Sequence, residues 1–220
     1  MVAEGYSQRL GIDYEETYSP VVRMESIRVL LSIVAEGDLK MVHFDVKTAF
    51  LEGSLEEKIY MQQPEGFEQG WGKLTRSLYG LKQAPCAWNQ CFTEFLRKFN
   101  LEPLQLHSDN CIFVKRGKDK AAKLIIAIYV DDELVCSSRK DESQAVLDHL
   151  SRKFEITVVD AKRFLGFEIK RIRLEKSLFI SQTYYIKKVL ERFGMSDAKP
   201  ASTPADPSVR LCRSGTRDNP

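Results

Sequence analysis

Long apolar runs, paired cysteines and a large charge of one sign are all missing from this 220-residue sequence. The longest apolar run, 124–130, has the length of a β-strand and is far short of the ~20 residues that span a bilayer. The N-terminal stretch lacks the apolar segment of a secretion signal. With 43% hydrophobic and 29% charged residues, the chain has the composition of a soluble globular protein, and we expect no membrane partner.

Cysteines and histidines are also too few and too scattered for the common metal and disulfide frameworks. The five cysteines form no CxxC pair, and there are three histidines. We therefore expect neither a zinc site nor a disulfide framework, and a reducing intracellular compartment fits best. The formal charge of +2 does not by itself indicate a polyanionic partner, although local basic patches would still bind one.

The spacing of apolar residues predicts both helices and strands. Helices are predicted over 26–35, 85–99, 141–154 and 183–193. Strands are predicted over 40–46, 59–61, 73–78, 111–114, 124–130, 134–137, 164–171 and 178–180. Pro85 would open the second helix and Asp141 would cap the third. This order predicts an α+β fold, with an antiparallel sheet backed by helices.

Three aspartates stand where predicted strands end. Asp131 and Asp132 lie at the tip of a predicted hairpin, and Asp45 ends a predicted buried strand, where an ionised carboxylate is costly unless it is paired or bound to metal. Carboxylates that meet at one sheet edge would form a pocket of hard oxygen ligands suited to Mg²⁺. Two such ions about 4 Å apart would support phosphoryl transfer. The alternative is a helix N-cap at Asp45 and a plain turn at Asp131–Asp132.

Ordered motifs resemble the reverse transcriptase of copia-type LTR retrotransposons. The main ones are HFDVKTAFLEG, SLYGLKQAPCAW, IYVDD and FLGFEI, and the resemblance extends over about 2–204. It implies a right-hand polymerase palm with partial fingers over 1–198, followed by a polar, proline-rich tail over 199–220 that we predict to be disordered.

The implied function is that of an RNA-directed DNA polymerase module of a Pol polyprotein. The resemblance implies two Mg²⁺ ions, with Mn²⁺ as a substitute, and dNTPs, a nucleic-acid primer and an RNA or DNA template as partners. RNase H and integrase domains would belong to the parent polyprotein. An intact parent would be found in a cytoplasmic virus-like particle.

The resemblance also assigns roles to the acids and to the residues after Asp45. Asp45, Asp131 and Asp132 match the three catalytic acids, and the carbonyl of Val46 would be a further metal ligand. The backbone N–H groups of Thr48 and Ala49 would line the triphosphate path. Phe50 matches a bulky ring beneath the incoming sugar, which would disfavour a ribose 2′-OH; its alternative role is that of a core aromatic.

A second segment would contact the incoming nucleotide and the template base. It contains Tyr79, Gly80 and Lys82, where Gly80 would let backbone approach a ligand closely. Lys82 would alternatively be a solvated charge. Gly166 matches a hairpin that grips the primer strand, or else marks a strand bulge.

Several positions depart from the family pattern. Glu4 stands where lysine is usual, and Glu133 stands where an apolar residue is usual, so that it would either disturb metal binding or face solvent. The stretch FEITVVDAKRFLG is short, which leaves Lys162 as a candidate general acid. We also expect a missing N-terminal fingers strand and a missing thumb or connection. These departures predict weak or absent activity of the isolated chain.

Two other functions share the same residues. One is a catalytically inactive remnant that folds and at most binds nucleic acid. The other is a two-metal nuclease or hydrolase, which would explain the acids but not Phe50 or the segment SLYGLKQAP.

Overall fold

The computed structural model describes residues 2–63, 66–67, 70–104, 109–117 and 122–204. They fall into two compact units, the first ending at Ser181 and the second beginning at Gln182. The predicted boundary between 198 and 199 lies inside the second unit and stays a prediction. In the predicted tail, residues 199–204 are exposed, and 205–220 lie outside the described residues.

The described residues form four α-helices, eleven strands and three short 3-10 turns. The first unit contains, in chain order, α1 (Met24–Glu36), β1 (Lys40–Val46), β2 (Tyr60–Gln62), β3 (Trp71–Lys73), α2 (Ala84–Arg97), β4 (Glu102–Pro103), β5 (Ile112–Arg116), β6 (Ala122–Tyr129), β7 (Asp132–Ser137), α3 (Lys140–Lys153), β8 (Ile156–Val159), β9 (Arg163–Phe164), β10 (Phe167–Ile172) and β11 (Ser177–Ser181). The second unit contains α4 (Thr183–Arg192). Among the described helices, none has the length and apolar character needed to cross a membrane.

The main sheet has six strands in the order β4-β5-β6-β7-β1-β8. Every neighbouring pair in it is antiparallel, so the predicted α+β class with an antiparallel sheet is confirmed. The hairpin of β6 and β7 lies beside β1, and the ends of these three strands carry the acids. Smaller sheets are formed by β11-β10-β9 and by β2-β3.

Apolar helix faces complete the core. The buried residues of α1, Ile27, Leu30, Leu31 and Val34, recur at helical spacing, which is why this segment forms a helix and which face it buries. From α2, Trp88 is 1% exposed and its indole N–H donates to the Val130 carbonyl over 2.6 Å. This bond ties α2 to the turn that carries the acid pair.

Three local predictions are wrong for identifiable reasons. The strand predicted over 73–78 ends at Lys73, because the backbone N–H of Leu74 and of Ser77 bond to loop carbonyls outside the β2-β3 ladder. The strand predicted over 164–171 is split, since Leu165 and Gly166 have positive φ angles and turn the chain between β9 and β10.

The cap predicted at Asp141 is also wrong. The third helix begins one residue earlier, at Lys140, and its N-cap is Arg139 without a side-chain cap bond. Asp141 instead pairs with Arg139 over 2.6 Å. Strand β8, which follows α3, was not predicted.

Candidate active site

The register of β1 and β7 brings the acids together. Asp45 is the direct cross-strand partner of Asp132. Opposed residues of antiparallel strands place their side chains on one face, with Cβ atoms about 5 Å apart. Asp131 lies in the turn just before β7, and its carbonyl accepts the Val46 N–H over 3.3 Å. All three aspartates therefore lie at one end of the sheet.

These positions test the alternative of a helix N-cap at Asp45 and a plain turn at Asp131–Asp132. Asp45 belongs to β1, so a helix N-cap there is wrong. Asp131 is a turn residue, whereas Asp132 already belongs to β7. The acid pair is thus more than a plain turn, because one member faces the carboxylate of a neighbouring strand.

Like charges accumulate at this end of the sheet. Burial raises the pKa of Asp131, and the negative charges of Asp132 and Asp45 raise it further. The side chain of Asp132 is 37% exposed, so the cluster is open to solution. A bound cation would relieve the repulsion among the three carboxylates.

The carboxylates fit a cation that arrives with its substrate better than one held in a closed protein cage. Within the described ranges, no group of three or more His, Cys, Asp or Glu side chains is positioned to hold a metal ion. Mg²⁺ is usually bound by one or two carboxylates together with substrate phosphates and waters. Opposed Asp45 and Asp132 would supply the two carboxylates. The carbonyl of Val46 as a further ligand stays a prediction.

The turn after β1 places a left-handed residue directly before a 3-10 turn. Thr48 adopts a left-handed conformation with φ +55°, and its hydroxyl donates to the Lys47 carbonyl over 2.7 Å. The 3-10 turn Ala49–Glu52 follows directly. A left-handed residue beside a right-handed turn can aim successive N–H groups toward one point and favour a phosphate. Here the N–H groups of Ala49 and Phe50 interact with the Tyr79 hydroxyl, so the contact of Thr48 and Ala49 with a triphosphate stays a prediction.

Two aromatic rings connect this turn to the acids. The ring of Phe50 is half-buried, and its centroid lies 4.7 Å from the centroid of the Tyr79 ring. Burial raises the pKa of Tyr79, and the charges of Asp131 and Asp45 add to the increase. Hydrogen bonds from the backbone N–H groups of Phe50 and Ala49 lower this pKa and partly offset the increase. Tyr79 therefore lies near the acids and the turn, and its contact with a nucleotide, like that of Phe50, stays a prediction.

Gly80 and Lys82 hold the N-terminal segment. The ammonium of Lys82 donates to the Gln8 carbonyl over 2.9 Å and lies 5.0 Å from the centre of the Tyr14 ring. Gly80 has φ +94°, and a Cβ there would overlap the carbonyl oxygen of Ala3. The close backbone approach predicted at Gly80 is thus to the protein's own chain. A nucleotide contact by either residue stays a prediction.

This packing makes Gly80→Ala strongly destabilising. We expect a loss of about 3 kcal/mol in the free energy of unfolding, because the new Cβ adds an overlap to the cost of a left-handed alanine. Gly166→Ala is the matched control: Gly166 has φ +76° but open space around it, so about 1 kcal/mol is expected. Urea unfolding measures both, and equal losses would contradict the proposed packing.

Glu133 occupies the opposite face of the sheet from the acid pair. It is fully buried, and its cross-strand neighbours are the buried Phe44 and Ile128. Within the described part of the chain, neither carboxylate oxygen has a hydrogen-bond partner. Burial raises the pKa of Glu133 well above its usual range. The expectation that it faces solvent is wrong, because strand alternation turns it into the core. The alternative, that it disturbs metal binding, stays a prediction.

The remaining candidate positions are more peripheral. Lys162 is exposed and pairs with Asp160 over 2.7 Å, so its role as general acid stays a prediction. Glu4 is exposed and accepts a hydrogen bond from the Tyr6 hydroxyl over 2.8 Å. Gly166 lies in the turn between β9 and β10.

One residue of the site was missed by the sequence analysis. His43 lies two positions before Asp45 in β1 and contacts Asp132, with Nε2 and Oδ1 3.1 Å apart. The period of two in a strand would have placed His43 and Asp45 on one face. No local pattern connects His43 with the distant hairpin.

The structure therefore defines an α+β protein with a carboxylate cluster at one end of an antiparallel sheet. Its sequence matches the family model described as reverse transcriptase (RNA-dependent DNA polymerase) over residues 1–207. The chain belongs to this reverse transcriptase family.

Relatives in plants share this sequence at moderate identity. The Retrovirus-related Pol polyprotein from transposon TNT 1-94 of Nicotiana tabacum is 43% identical over 97% of this chain and 16% of its own length. The Retrovirus-related Pol polyprotein from transposon RE1 of Arabidopsis thaliana is 39% identical over 99% of this chain and 15% of its own length. The predicted resemblance to copia-type reverse transcriptases is confirmed, and the chain spans about a sixth of the length of these relatives.

Solved structures are more distant. Apo telomerase from Candida tropicalis, truncated from its C-terminal domain, is 12% identical over 74% of this chain and 41% of that chain, with a TM-score of 0.42. This likeness is too low to support a conclusion about the site.

Proposed function

We propose that this chain is the RNA-directed DNA polymerase module of a retrotransposon Pol polyprotein. It would transfer a nucleotidyl group from a dNTP to the 3′-OH of a primer paired to an RNA or DNA template. Family membership supports the reaction class. The observation that carries the proposal is the register that sets Asp45 opposite Asp132, with Asp131 beside them.

Each acid has a role in this proposal. Asp45, Asp131 and Asp132 would hold two Mg²⁺ ions, or Mn²⁺ in their place. When bound, such ions lower the pKa of an attacking hydroxyl and neutralise the charge of the triphosphate. The open face of Asp132 leaves room for substrate oxygens. The N–H groups of the turn at Thr48–Ala49 would receive the triphosphate.

The partners proposed for the working protein follow from the relatives. These relatives are Pol polyproteins by name, and this chain matches about a sixth of their length. We therefore propose that the module works within a longer chain that also carries RNase H and integrase domains, in a cytoplasmic virus-like particle. Its own partners would be a template, a primer and dNTPs.

Primer extension tests this function directly. The purified chain is mixed with a DNA primer annealed to an RNA template, dNTPs and Mg²⁺, and extended products are resolved on a gel. Because the isolated chain is predicted to have weak activity, we expect a low level of incorporation that stops on addition of EDTA and returns with excess Mg²⁺. Duplex binding without any metal-dependent incorporation would instead support an inactive remnant, and degradation of the template without dNTPs would support a nuclease.

Phe50→Val tests the proposed sugar discrimination. Removing the ring would open space for a 2′-OH, so we expect the preference for dNTP over rNTP to fall by roughly tenfold to a hundredfold. Single-nucleotide incorporation with each substrate gives the ratio. Phe179→Val on β11 is the control, because that ring is exposed. Lower stability with unchanged discrimination would make Phe50 a core aromatic only.

A further inference from the structure

Strand register and an aromatic neighbour both hold His43 against Asp132. The side chain of His43 is 13% exposed. Its Nε2 lies 3.1 Å from Oδ1 of Asp132. The two residues are diagonal neighbours across β1 and β7, since His43 pairs directly with Leu134. The ring also meets the buried Phe164 of β9 edge-on, with centroids 5.5 Å apart.

The second ring nitrogen indicates which atom carries the proton. Nδ1 of His43 is buried and, among the described residues, has no hydrogen-bond partner. A proton on Nδ1 would leave a buried donor unpaired, which costs about 1–3 kcal/mol. A proton on Nε2 is used in the bond to Asp132. The environment therefore selects the tautomer in which Nε2–H donates to Oδ1.

This bond restricts an otherwise mobile carboxylate. Asp132 is partly exposed, so its side chain would sample several rotamers without a partner. The bond to Oδ1 reduces the number of rotamers open to the side chain and so limits where Oδ2 lies. The edge contact with Phe164 in turn fixes the plane of the imidazole. Partners of this kind typically change metal affinity by 10–100-fold when removed.

We propose that His43 is a positioning residue for the third acid, whose Nε2–H holds the Asp132 carboxylate in the orientation that binds a divalent cation. This inference rests on the proposed function, because it requires the three aspartates to bind a cation. It assigns the imidazole no contact with substrate. Phe164 would support the same arrangement from the far side of the ring.

Mn²⁺ binding tests the proposal without a turnover assay. The full chain is titrated with Mn²⁺ alone, and free Mn²⁺ is measured by electron paramagnetic resonance. His43→Leu should bind Mn²⁺ about tenfold more weakly than wild type, and His43→Gln, whose amide N–H replaces the donor, should stay within about twofold. His149→Leu is the matched control, because His149 is exposed on α3 against Phe99. Its affinity should be unchanged.

A double variant separates positioning from a general loss of structure. In an Asp132→Asn background, His43→Leu should weaken Mn²⁺ binding no further, because its target is already gone. An additional loss of the same size as in wild type would overturn the proposal. If His43→Leu does not fold, His43→Asn is used in its place. The Asn side chain is one methylene shorter than Gln, so its amide should not reach Asp132 and Mn²⁺ binding should stay weak.

The outcomes distinguish this inference from the proposed function. Equal Mn²⁺ affinity in wild type and folded His43→Leu would overturn the role of His43 and leave the proposed function intact. Failure of the wild-type chain to bind Mn²⁺ alone would also overturn the role of His43, but it would leave the proposed function intact, because a cation that arrives with the triphosphate needs no site in the free chain. Weak binding by His43→Leu with recovery in His43→Gln is the result we expect.

Discussion

Replacing Asp131 with asparagine should reduce primer extension by about a thousandfold or more, because each 1.4 kcal/mol of lost cation binding or charge stabilisation costs a factor of ten. Asp131 is the acid whose pKa is raised by burial and by the charges of its two acidic neighbours. An amide there carries no charge and binds divalent cations poorly. Extension by wild type and Asp131→Asn is compared at equal protein concentration in Mg²⁺.

Although its activity falls, the Asp131→Asn variant should be at least as stable as wild type. Removing a half-buried carboxylate relieves its repulsion with Asp132 and Asp45, so Asp131→Asn should unfold at the same or a higher urea concentration than wild type. Asp148→Asn on the exposed side of α3 is the control for a lost carboxylate and should change neither property. Extension at the wild-type rate by Asp131→Asn would refute the catalytic role of the acids in this chain.

The second large effect concerns Glu133. Glu133→Met should increase the free energy of unfolding by about 2–4 kcal/mol at pH 7, because it replaces an unpaired buried carboxyl with an apolar chain of similar length. Phe44 and Ile128, which flank the position on neighbouring strands, would then have an apolar neighbour. Urea unfolding followed by the fluorescence of buried Trp88 measures the change.

The same residue predicts a pH dependence with a defined sign. The pKa of Glu133 is raised in the folded state from its usual 4.5, so the folded chain holds this proton more tightly than the unfolded chain. As pH rises above 4.5, ionisation of the unfolded chain therefore favours unfolding by about 1.4 kcal/mol per pH unit, until the folded pKa is reached. The advantage of Glu133→Met should shrink as pH falls toward 4.5.

Glu133→Gln separates ionisation from the missing hydrogen bond. The amide has the same shape and no titration, so this variant should lose the Glu133 contribution to the pH dependence but keep part of the cost of an unpaired polar group. Destabilisation by Glu133→Met at pH 7 would show that the carboxyl has a partner that stabilises the fold.

Glu133 and the acid pair together show how a strand separates neighbouring residues. Asp132 faces Asp45 on the open side, and the next residue faces Phe44 in the core. The site and the destabilising acid are adjacent in sequence but lie on opposite faces of β7. The two positions are still coupled electrostatically, since the charges of Asp131, Asp132 and Asp45 add to the raised pKa of Glu133.

The sequence by itself determined the features that depend on near neighbours in the chain. The period of apolar residues located α1, α2, α3 and α4 within a few residues, and it gave β1 with its exact bounds. The ordered motifs identified the reverse transcriptase family, which the comparisons confirmed. The strand-end positions of Asp45, Asp131 and Asp132 were also readable without coordinates.

Only the tertiary structure decided which distant residues meet. Pairing register is set by hydrogen bonds between β1 and β7, so the contact of Asp45 with Asp132, and of His43 with the same acid, could not be read from local pattern. Burial likewise depends on what packs against a face, which placed Glu133 in the core and turned Gly80 and Lys82 toward the N-terminal segment. Periodicity is a property of neighbouring residues, whereas register and burial arise from contacts across the whole fold.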